Sequence, residues 1–406
     1  MDCLRCVSVE AAIQANLMST GIKLALGDHH SMILKEDGSV WSTAICFRND
    51  FSSCGAQTRF KKVIDSGTTA MAAGAGYSLV LKRDSSIWAM GRNSRGQLGD
   101  GTREKKRTFT YVTIIPGTTA LAAGAFHSMI LGEGGSLWAA GWNKYGQIAD
   151  GFAKSGRTRF IDVMSYGVQA VAAGALHSIV LKQDGSVWTT GRNYNGQLGD
   201  GSKEDRSNFV QVMSGGAVSV AAGSDHSILA KQDGSVWATG CNDYAQLGDE
   251  TAIERDNYVQ VVPFGAKAVA AGRRYSLMLK QDGSVWATGY NEYGQLGDSS
   301  VTKSKGFMQV ISSGARIIAA GGSHSMVLGR DGHVWAAGSN EAGQFGDGST
   351  ASTKTFARLS PFGNSSQSSC IRLFPSNIHE MHTILHAYSA LVLNLSIGLH
   401  VYIIIH

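Results

Sequence analysis

The sequence predicts an all-β fold, a seven-bladed β-propeller of four-stranded repeats that are each about 49 residues long. Two observations predict it. A glycine at the end of a run of small residues recurs every 47 to 50 residues, at Gly27, Gly74, Gly124, Gly174, Gly223, Gly272 and Gly321. A tryptophan follows each glycine at a constant distance of 14 residues, at Trp41, Trp88, Trp138, Trp188, Trp237, Trp286 and Trp335.

Each repeat contains four short strand signals, which the fourth repeat shows in order. "QAVAAG" (169–174) is a strand of small residues, and "HSIVLKQ" (177–183) alternates between apolar and polar positions. Asp184 and Gly185 predict a type I′ hairpin, in which both turn residues have positive φ. "SVWTTGRN" is rich in the β-branched and aromatic residues that strands favour, and "FVQVM" (209–213) completes the sheet.

A single four-stranded sheet cannot bury both of its faces, so the repeats must stack on one another, and units of this size stack radially. We predict that the small-residue strand lies nearest the axis, where side chains have little room. We predict that the tryptophans pack between blades, since each can bury about 150–250 Å². The resulting domains are an N-terminal lead (1–21), the propeller (22–362), a polar linker (363–382) and a hydrophobic tail (383–405).

The tail leaves open whether the chain contacts a membrane. It runs for 23 residues without Lys, Arg, Asp or Glu, which is long enough to span a bilayer. His386, Asn394 and His400 interrupt it, and few basic residues flank it. A membrane anchor, a partner-binding segment and an error at the gene's end are the three interpretations.

Composition bounds the partner and the compartment. The chain has 406 residues, 17% of them charged, and a formal net charge of +5, which permits an acidic partner and gives no strong nucleic-acid signal. The N-terminus lacks the features of a secretory signal. Six cysteines lie outside any repeating position, which predicts reduced thiols and an intracellular protein, cytoplasmic or nuclear, tethered to a membrane only if the tail is an anchor.

Several motif pieces recur in the same order in most repeats: A-A-G-x-x-H-S, then D-G-S-V-W, then G-x-N-x-x-G-Q-L-G-D-G. Over residues 22–362 this wording closely resembles the regulator of chromosome condensation repeat. The resemblance implies seven blades and a ring closed by pairing the N- and C-terminal strands, here 22–26 and 356–359, in one blade. The first repeat departs from the pattern after Trp41, which predicts an irregular blade edge.

The resemblance also implies guanine-nucleotide exchange on a small GTPase of the nuclear-transport type, the activity of the family's founding member. That member uses a β-hairpin that protrudes from one blade, and a basic N-terminal arm. The nearly constant repeat length leaves no room for such a hairpin, and the N-terminus shows no such arm. The clustered extra tryptophans of the family's plant ultraviolet photoreceptors are absent as well, because only Trp142 lies outside the repeat register.

Nothing in the repeat predicts a catalytic residue, a cofactor or a metal. One position carries histidine in five repeats and tyrosine in two, which favours a structural hydrogen bond over a ring of zinc ligands. The aspartate of G-Q-L-G-D-G is expected to cap its own loop rather than bind calcium. Cys3 and Cys6 have a zinc-like spacing, but the candidate second pair, Cys46 and Cys54, is too far apart to match.

Specificity must lie where the repeats differ. The positions that vary most follow the glycine of G-x-N, precede the G-Q pair, or follow A-A-G, and they are rich in the Trp, Tyr and Arg that dominate binding hot spots. We call the following residues the variable rim and predict that they bind a protein partner: Arg92, Arg95, Trp142, Tyr145, Arg192, Tyr244, Arg273, Arg274, Tyr290 and Tyr293.

Charge adds a second group of candidate partner-binding residues. The third-to-fourth-strand loops of repeats one, two and three each carry a charge of +2, whereas that of repeat five carries −3. We predict that an acidic partner surface contacts the basic sector through Lys105, Lys106 and Arg107. The function predicted is a monomeric, non-catalytic interaction propeller, with nucleotide exchange on a small GTPase as the alternative.

Overall fold

The computed structural model describes residues 21–43 and 57–359. These residues form seven antiparallel sheets of four strands each, and every sheet is built from consecutive strands of one repeat. The first strand of each sheet contacts the first strands of the two neighbouring sheets, so the sheets form a ring. The prediction of an all-β, seven-bladed propeller is confirmed.

The strands are named in chain order. The first strands, nearest the axis, are β1 (Lys23–Leu26), β5 (Thr68–Ala73), β9 (Thr118–Ala123), β13 (Val168–Ala173), β17 (Ala217–Ala222), β21 (Ala266–Ala271) and β25 (Ala315–Ala320). The second strands are β2 (Ser31–Leu34), β6 (Tyr77–Lys82), β10 (His127–Gly132), β14 (His177–Lys182), β18 (His226–Lys231), β22 (Tyr275–Lys280) and β26 (His324–Gly329).

The third strands are β3 (Val40–Ser42), β7 (Ser86–Gly91), β11 (Leu137–Gly141), β15 (Val187–Gly191), β19 (Val236–Gly240), β23 (Val285–Gly289) and β27 (Val334–Gly338). The outer strands are β4 (Lys61–Ile64), β8 (Lys106–Ile114), β12 (Arg157–Met164), β16 (Arg206–Met213), β20 (Arg255–Val262), β24 (Ser304–Ile311) and β28 (Thr353–Arg358). A single turn of 3-10 helix, Glu133–Gly135, joins β10 to β11.

The ring does not close by exchanging terminal strands, so that prediction was wrong. β1 pairs with β2, and β28 pairs with β27 in the seventh blade. Both terminal repeats supply four strands of their own, so neither sheet lacks a strand for the other end of the chain to fill. The seventh and first blades instead meet side by side: Phe60 N donates to Gly346 O at 3.2 Å, and Gly348 N donates to Thr58 O at 2.8 Å.

The crowding predicted for the first strands is present at the glycine that ends each of them. A Cβ atom on Gly174 would lie 2.8 Å from the carbonyl oxygen of Gly223 in the next blade. It would also lie 2.4 Å from the ring of His177 in its own blade. The backbones of neighbouring blades therefore approach too closely at this position for any side chain.

The repeated tryptophans pack between blades, as predicted. Trp188 lies half-buried against the apolar core that the third and fourth blades share, which includes Met129 and Leu131. Its indole Nε1 donates to Ser186 Oγ at 3.0 Å, and the Lys182 ammonium lies 4.4 Å from its ring centroid. The serine of the D-G-S-V-W motif thus satisfies the polar edge of an otherwise apolar side chain.

The side chains of the position that carries histidine or tyrosine form a ring of hydrogen bonds between blades, as predicted. His177 Nε2 lies 3.0 Å from Ser227 Oγ in the next blade, and that hydroxyl donates to Gln197 O at 2.6 Å. The serine hydrogen is committed to the carbonyl, so Nε2 is the protonated nitrogen of the imidazole. Where tyrosine replaces histidine, the phenol reaches further: Tyr77 OH donates to His127 O at 2.6 Å.

Every border of the ring has such a bond. The remaining histidine links are His30 to Ser78 at 2.8 Å, His127 to Ser178 at 2.8 Å, His226 to Ser276 at 3.0 Å and His324 to Ser31 at 2.9 Å. Tyr275 OH donates to His324 O at 2.6 Å. The bond from His324 to Ser31 joins the last blade to the first. The ring of hydrogen bonds is therefore continuous at the border where the terminal strands do not pair with each other.

The hairpin turns differ from the predicted type I′. Only Gly185 has a positive φ, of 78°, and Gly185 N donates to Lys182 O at 2.9 Å. The turn is therefore a type I turn followed by a left-handed glycine. Asp184 does not have a positive φ. Its Oδ1 accepts a hydrogen bond from Ser186 N at 2.9 Å, and this side-chain bond stabilises the turn.

Ser85 occupies the glycine position of this turn in the second blade and has a φ of 63°. A residue with a Cβ pays roughly 1 kcal/mol for left-handed backbone, so Ser85→Gly is expected to raise the free energy of unfolding by about that amount. Gly332→Ser is the matched reverse change, at the same turn position of the seventh blade, where φ is 79° and an added Cβ would meet nothing within 4 Å, and it should lower the free energy of unfolding by a similar amount. Urea unfolding curves of both variants test this, and equal midpoints for Ser85→Gly and the parent would contradict it.

Some predictions fall on residues that the structure does not describe. The lead up to residue 20, the loop of the first repeat at 44–56, the whole linker and the whole tail lie outside the described residues. The same holds for all cysteines except Cys241, which forms no disulfide. Among the described residues, no helix is long and apolar enough to cross a membrane.

Candidate functional site

In blades two to seven, two loops of each blade lie together at the same end of the strands. These are the loop between the first and second strands and the long loop between the third and fourth strands. A backbone hydrogen bond joins them: Arg192 N donates to Leu176 O at 2.9 Å, and Tyr290 N donates to Arg274 O at 2.9 Å. The positions after A-A-G and inside G-x-N therefore meet within each of blades two to seven, on one face of the ring.

Buried amides hold the long loop in shape. In the fourth blade, Asn193 Oδ1 accepts from Leu198 N at 3.0 Å, and Asn193 Nδ2 donates to Asp200 Oδ1 at 2.9 Å. Gln197 Oε1 accepts from Asn195 N at 3.0 Å. Both amide side chains are fully buried. The repeated residues of G-x-N-x-x-G-Q-L-G-D-G thus stabilise the conformation of the loop. The residues between them can differ from blade to blade without changing that conformation.

The aspartates cap their own loops, as predicted. Asp200 Oδ1 accepts from Ser202 N at 3.1 Å, and Asp200 Oδ2 accepts from Arg206 Nε at 2.7 Å. Burial would raise the pKa of Asp200, but its bonds from Ser202, Arg206 and Asn193 outweigh burial and hold that pKa below its usual value. The carboxylate is therefore occupied by its own loop. Among the described residues, no group of three or more His, Cys, Asp or Glu side chains is placed to hold a metal ion.

Variable-rim residues of the second and third blades are in contact. The Arg95 guanidinium lies 4.6 Å from the ring centroid of Trp142. Trp142 in turn packs edge-on against Phe126 at 5.3 Å and Tyr145 at 5.8 Å between centroids. The spare tryptophan of the sequence is thus the centre of an aromatic cluster with a cation on it.

The contacts continue into the fourth and fifth blades. The Arg192 guanidinium lies 5.9 Å from the ring of Tyr145 and donates from Nη1 to Asp225 Oδ1 at 3.1 Å. It also lies 5.6 Å from Tyr194, whose side chain is 68% exposed. Arg192 therefore bridges the third and fifth blades across the top of the fourth.

A third group covers the fifth and sixth blades. Arg274 Nη1 donates to Tyr244 OH at 3.0 Å, and its guanidinium lies 4.5 Å from the Tyr244 ring. Tyr244 packs edge-on against Tyr290 at 5.0 Å, and Tyr290 against Tyr293 at 6.3 Å. Burial, and then a hydrogen bond to Glu292, raise the pKa of Tyr290, so its hydroxyl stays protonated.

The predicted basic residues form a separate segment of the second blade. Lys105, Lys106 and Arg107 lie at the start of the outer strand β8, and Lys106 is paired with Asp100 at 3.4 Å and with Glu104 at 3.7 Å. Lys106 is thus paired with the two acidic residues of its own loop, which the predicted charge of +2 already includes.

Sequence reasoning missed two residues of this face, Lys144 and Tyr194. The Lys144 ammonium lies 5.2 Å from the Tyr145 ring, and Tyr194 contacts Arg192 as described. Both follow the asparagine of G-x-N directly, a position that also varies between repeats. Comparing that column of the repeat would have found them.

The chain is similar to known repeats and structures. The profile described as "Regulator of chromosome condensation (RCC1) repeat" matches residues 119–147, 168–197, 217–246, 266–295 and 315–344. A second profile of the same description matches 84–131 and 184–230, and together the two cover about half of the chain. A search of curated protein sequences finds no match.

Three solved structures resemble the fold. Human WBSCR16 is 23% identical with a TM-score of 0.66, over 74% of this chain and 84% of that one. Prp20p from Saccharomyces cerevisiae, described with its binding to Gsp1p and histones, is 19% identical with a TM-score of 0.64, over 80% of this chain and 92% of that one. Yeast RCC1 (Prp20) with Kap60 bound is 17% identical with a TM-score of 0.67, over 88% and 84%. These likenesses show a shared fold.

Proposed function

The chain belongs to the regulator of chromosome condensation repeat family, and from that premise we propose that it is a non-catalytic propeller whose variable rim binds a protein partner. One observation carries the proposal. The repeated polar residues are buried in the loops and between the blades, whereas the residues that differ lie on one face and contact one another across blade borders. Recognition then falls to the side chains that vary.

The rim has the chemistry of a protein-binding surface. Arg95, Arg192 and Arg274 are each held against an aromatic ring. A guanidinium held in this way loses little conformational freedom on binding, and Trp, Tyr and Arg are the residues that most often dominate interface energies. The arginines and the Lys105–Arg107 segment favour an acidic partner surface.

The rest of the proposal concerns assembly and location. The rim carries an excess of arginines, so it is not complementary to a second copy of itself, which favours a monomer. The cysteine usage favours an intracellular protein, cytoplasmic or nuclear. The domain boundaries at residues 21, 362 and 382, and the role of the tail in membrane contact, stay predictions.

Nucleotide exchange on a small GTPase is the second candidate function. Its support is the likeness in fold to Prp20p, whose structure is described with binding to Gsp1p. In the described residues, every blade has four strands, so no additional hairpin protrudes from those blades as the founding member's does. We therefore place exchange second.

Replacing rim residues is expected to abolish partner binding. The triple variant Arg95→Ala, Trp142→Ala, Tyr290→Ala removes one anchor from each of three blades, and each is expected to cost about 2 kcal/mol, so affinity should fall at least 100-fold. Full-length parent and variant are immobilised, and retained proteins are identified by mass spectrometry. The specific partner is the protein that the parent retains and the triple variant loses.

A matched control changes aromatic residues at the opposite ends of the strands. Tyr166 and Phe264 are 77% and 69% exposed in loops that join outer strands to the next blade. Tyr166→Ala, Phe264→Ala should retain the partner. If no protein distinguishes the rim variant from this control, the proposed function is wrong. Many-fold faster release of a fluorescent guanine nucleotide from a nuclear-transport GTPase, lost in the rim variant, would establish exchange instead.

A further inference from the structure

The border between the fourth and fifth blades already binds a carboxylate. Asp225, two residues after the glycine of A-A-G, accepts from Arg192 Nη1 at 3.1 Å and from Gln197 Nε2 at 3.4 Å. The arginine comes from the G-x-N position and the amide from the G-Q pair, both in the fourth blade. The border therefore provides one charged and one neutral donor to a single carboxylate oxygen.

The amide is held identically at the border between the second and third blades. Gln97 O accepts from Ser128 Oγ at 2.6 Å, as Gln197 O does from Ser227 Oγ at 2.6 Å. Gln97 Oε1 accepts from Arg95 N at 2.9 Å, matching the 3.0 Å bond to Gln197 Oε1. The matching backbone bonds and the matching bonds to Oε1 place the two Nε2 groups at equivalent positions.

At this second border the donors lack an acceptor. Gln97 is fully buried, and its Nε2 has no hydrogen-bond partner among the described residues. Arg92 takes the backbone place of Arg192, since Arg92 N donates to Gly76 O at 2.8 Å. A buried donor without an acceptor costs about 1–3 kcal/mol, so an acceptor that reaches it is favourable.

Phe126 occupies the position of Asp225. Trp142 N donates to Phe126 O at 2.7 Å, as Cys241 N does to Asp225 O at 2.7 Å. The Phe126 ring packs edge-on against Trp142, and the Arg95 guanidinium lies 4.6 Å from the Trp142 ring centroid. Phe126 and Trp142 thus line the place where the other border has its carboxylate, with the Arg95 guanidinium on Trp142 and the Arg92 backbone in the position of Arg192.

We propose that this border, formed by Arg92, Arg95, Gln97, Phe126 and Trp142, binds the carboxylate of an acidic side chain on the protein partner. The proposal rests on the proposed function and names the chemistry of its anchor. An arginine–carboxylate bond is charge-assisted and among the stronger hydrogen bonds. Entry of the acid moves the Phe126 ring aside and gives Gln97 Nε2 its acceptor.

The other unpaired amides do not offer the same site. Gln147 Nε2 and Gln295 Nε2 also lack partners among the described residues. The arginine position of their blades carries Trp142 and Tyr290, which supply no charge for an acid. In the described part of the chain, only the border between the second and third blades combines an unpaired amide and an arginine without an internal carboxylate.

The test titrates full-length, ¹⁵N-labelled protein with N-acetylaspartate amide and follows the side-chain amide signal of Gln97, identified by its loss in Gln97→Glu. N-acetylasparagine amide, the neutral isostere, is the ligand control. The signal is expected to shift with the acid at millimolar concentration and not with the isostere. Equal shifts with both ligands, or none with either, would overturn the proposal.

Two variants make the test specific. Phe126→Asp places an internal carboxylate where Asp225 has its own, and should weaken acid binding at least tenfold. Phe126→Asn introduces a side chain of the same size as aspartate but without its charge, and it should weaken acid binding less than Phe126→Asp does. Arg92→Gln changes a half-exposed residue without burying anything new, and should also weaken acid binding at least tenfold. Equal acid affinity for parent and Arg92→Gln contradicts the site.

The same variants separate this site from the proposed function. A partner that the rim variant loses but that Phe126→Asp retains at parental affinity would overturn the carboxylate site and leave rim binding intact. Conversely, acid binding at Gln97 without any protein that depends on the rim would support the site and overturn the proposed function.

Discussion

Lowering the pH from 7.5 to 5.5 is expected to lower the free energy of unfolding by about 7 kcal/mol. The cause is the ring of imidazoles between the blades. Burial lowers the pKa of five histidines from 6.5 to about 3: His30, His127, His177, His226 and His324. Their Nδ1 atoms have no hydrogen-bond partner among the described residues, so nothing in the described fold stabilises a second proton.

The direction follows from which state binds the protons. A histidine whose pKa is depressed in the folded state contributes stability that is complete above pH 6.5 and is lost as the pH falls toward its folded value. Each histidine changes the free energy of unfolding by about 1.4 kcal/mol per pH unit in that window, or about 7 kcal/mol per unit for five. The free energy of unfolding of a protein domain is about 5–15 kcal/mol in total, so the fold should be close to unfolding at pH 5.5.

The chain supplies its own control for this prediction. Tyr77 and Tyr275 already replace histidine in two blades and bond to the carbonyl oxygen of the next blade's histidine. His177→Tyr with His226→Tyr should therefore keep inter-blade bonds while removing two of the five titrating groups. Urea unfolding monitored by tryptophan fluorescence between pH 7.5 and 5.0 measures the slope. A slope unchanged from the parent would show that other groups carry the acid sensitivity.

The repeat made the scaffold predictable from sequence. Seven recurrences of one glycine and one tryptophan predict seven blades, and the exchange of histidine for tyrosine predicts a hydrogen bond rather than a metal ligand. In each case the same physical requirement recurs at every blade border. The seven copies can therefore be compared, and a deviation in one copy does not hide the shared pattern. The closure of the ring could not be predicted in this way, because it involves only the two terminal repeats, and neither has an equivalent to compare with.

The residue types of the variable rim could be predicted from the sequence, but the contacts between those residues could not. That Trp142, Arg192 and Tyr290 vary at equivalent positions is visible in the sequence. That Arg192 binds Asp225 and reaches Tyr145 is not, because these residues belong to three different blades and the lengths of their side chains decide which of them meet. The same holds for Gln97, which is the same residue type as Gln197 but has different neighbours, among them Phe126 in the position of Asp225 and Trp142 in the position of Cys241.

Gly174→Ala is expected to destabilise the fold by roughly 3–5 kcal/mol, the sum of overpacking and of a lost buried hydrogen bond. Backbone strain is not the cause, because the φ of Gly174 lies outside the left-handed region. The added methyl would lie 2.4 Å from the His177 ring, which is fully buried and bonded to Ser227. The Gly223 carbonyl of the next blade, at 2.8 Å, cannot move without separating the blades.

Gly215→Ala is the matched control for this change. Gly215 lies in the loop that leads into β17, and a Cβ there would meet only the Asp184 carbonyl at an ordinary 3.5 Å, so its stability should change by no more than about 0.5 kcal/mol. Urea unfolding of both variants at pH 7.5 separates the two positions, and equal midpoints would contradict the crowding inferred at the axis. The result also bears on binding. Because Arg192 joins the third and fifth blades above this contact, a fourth blade displaced at Gly174 should lose rim binding even in the fraction that remains folded.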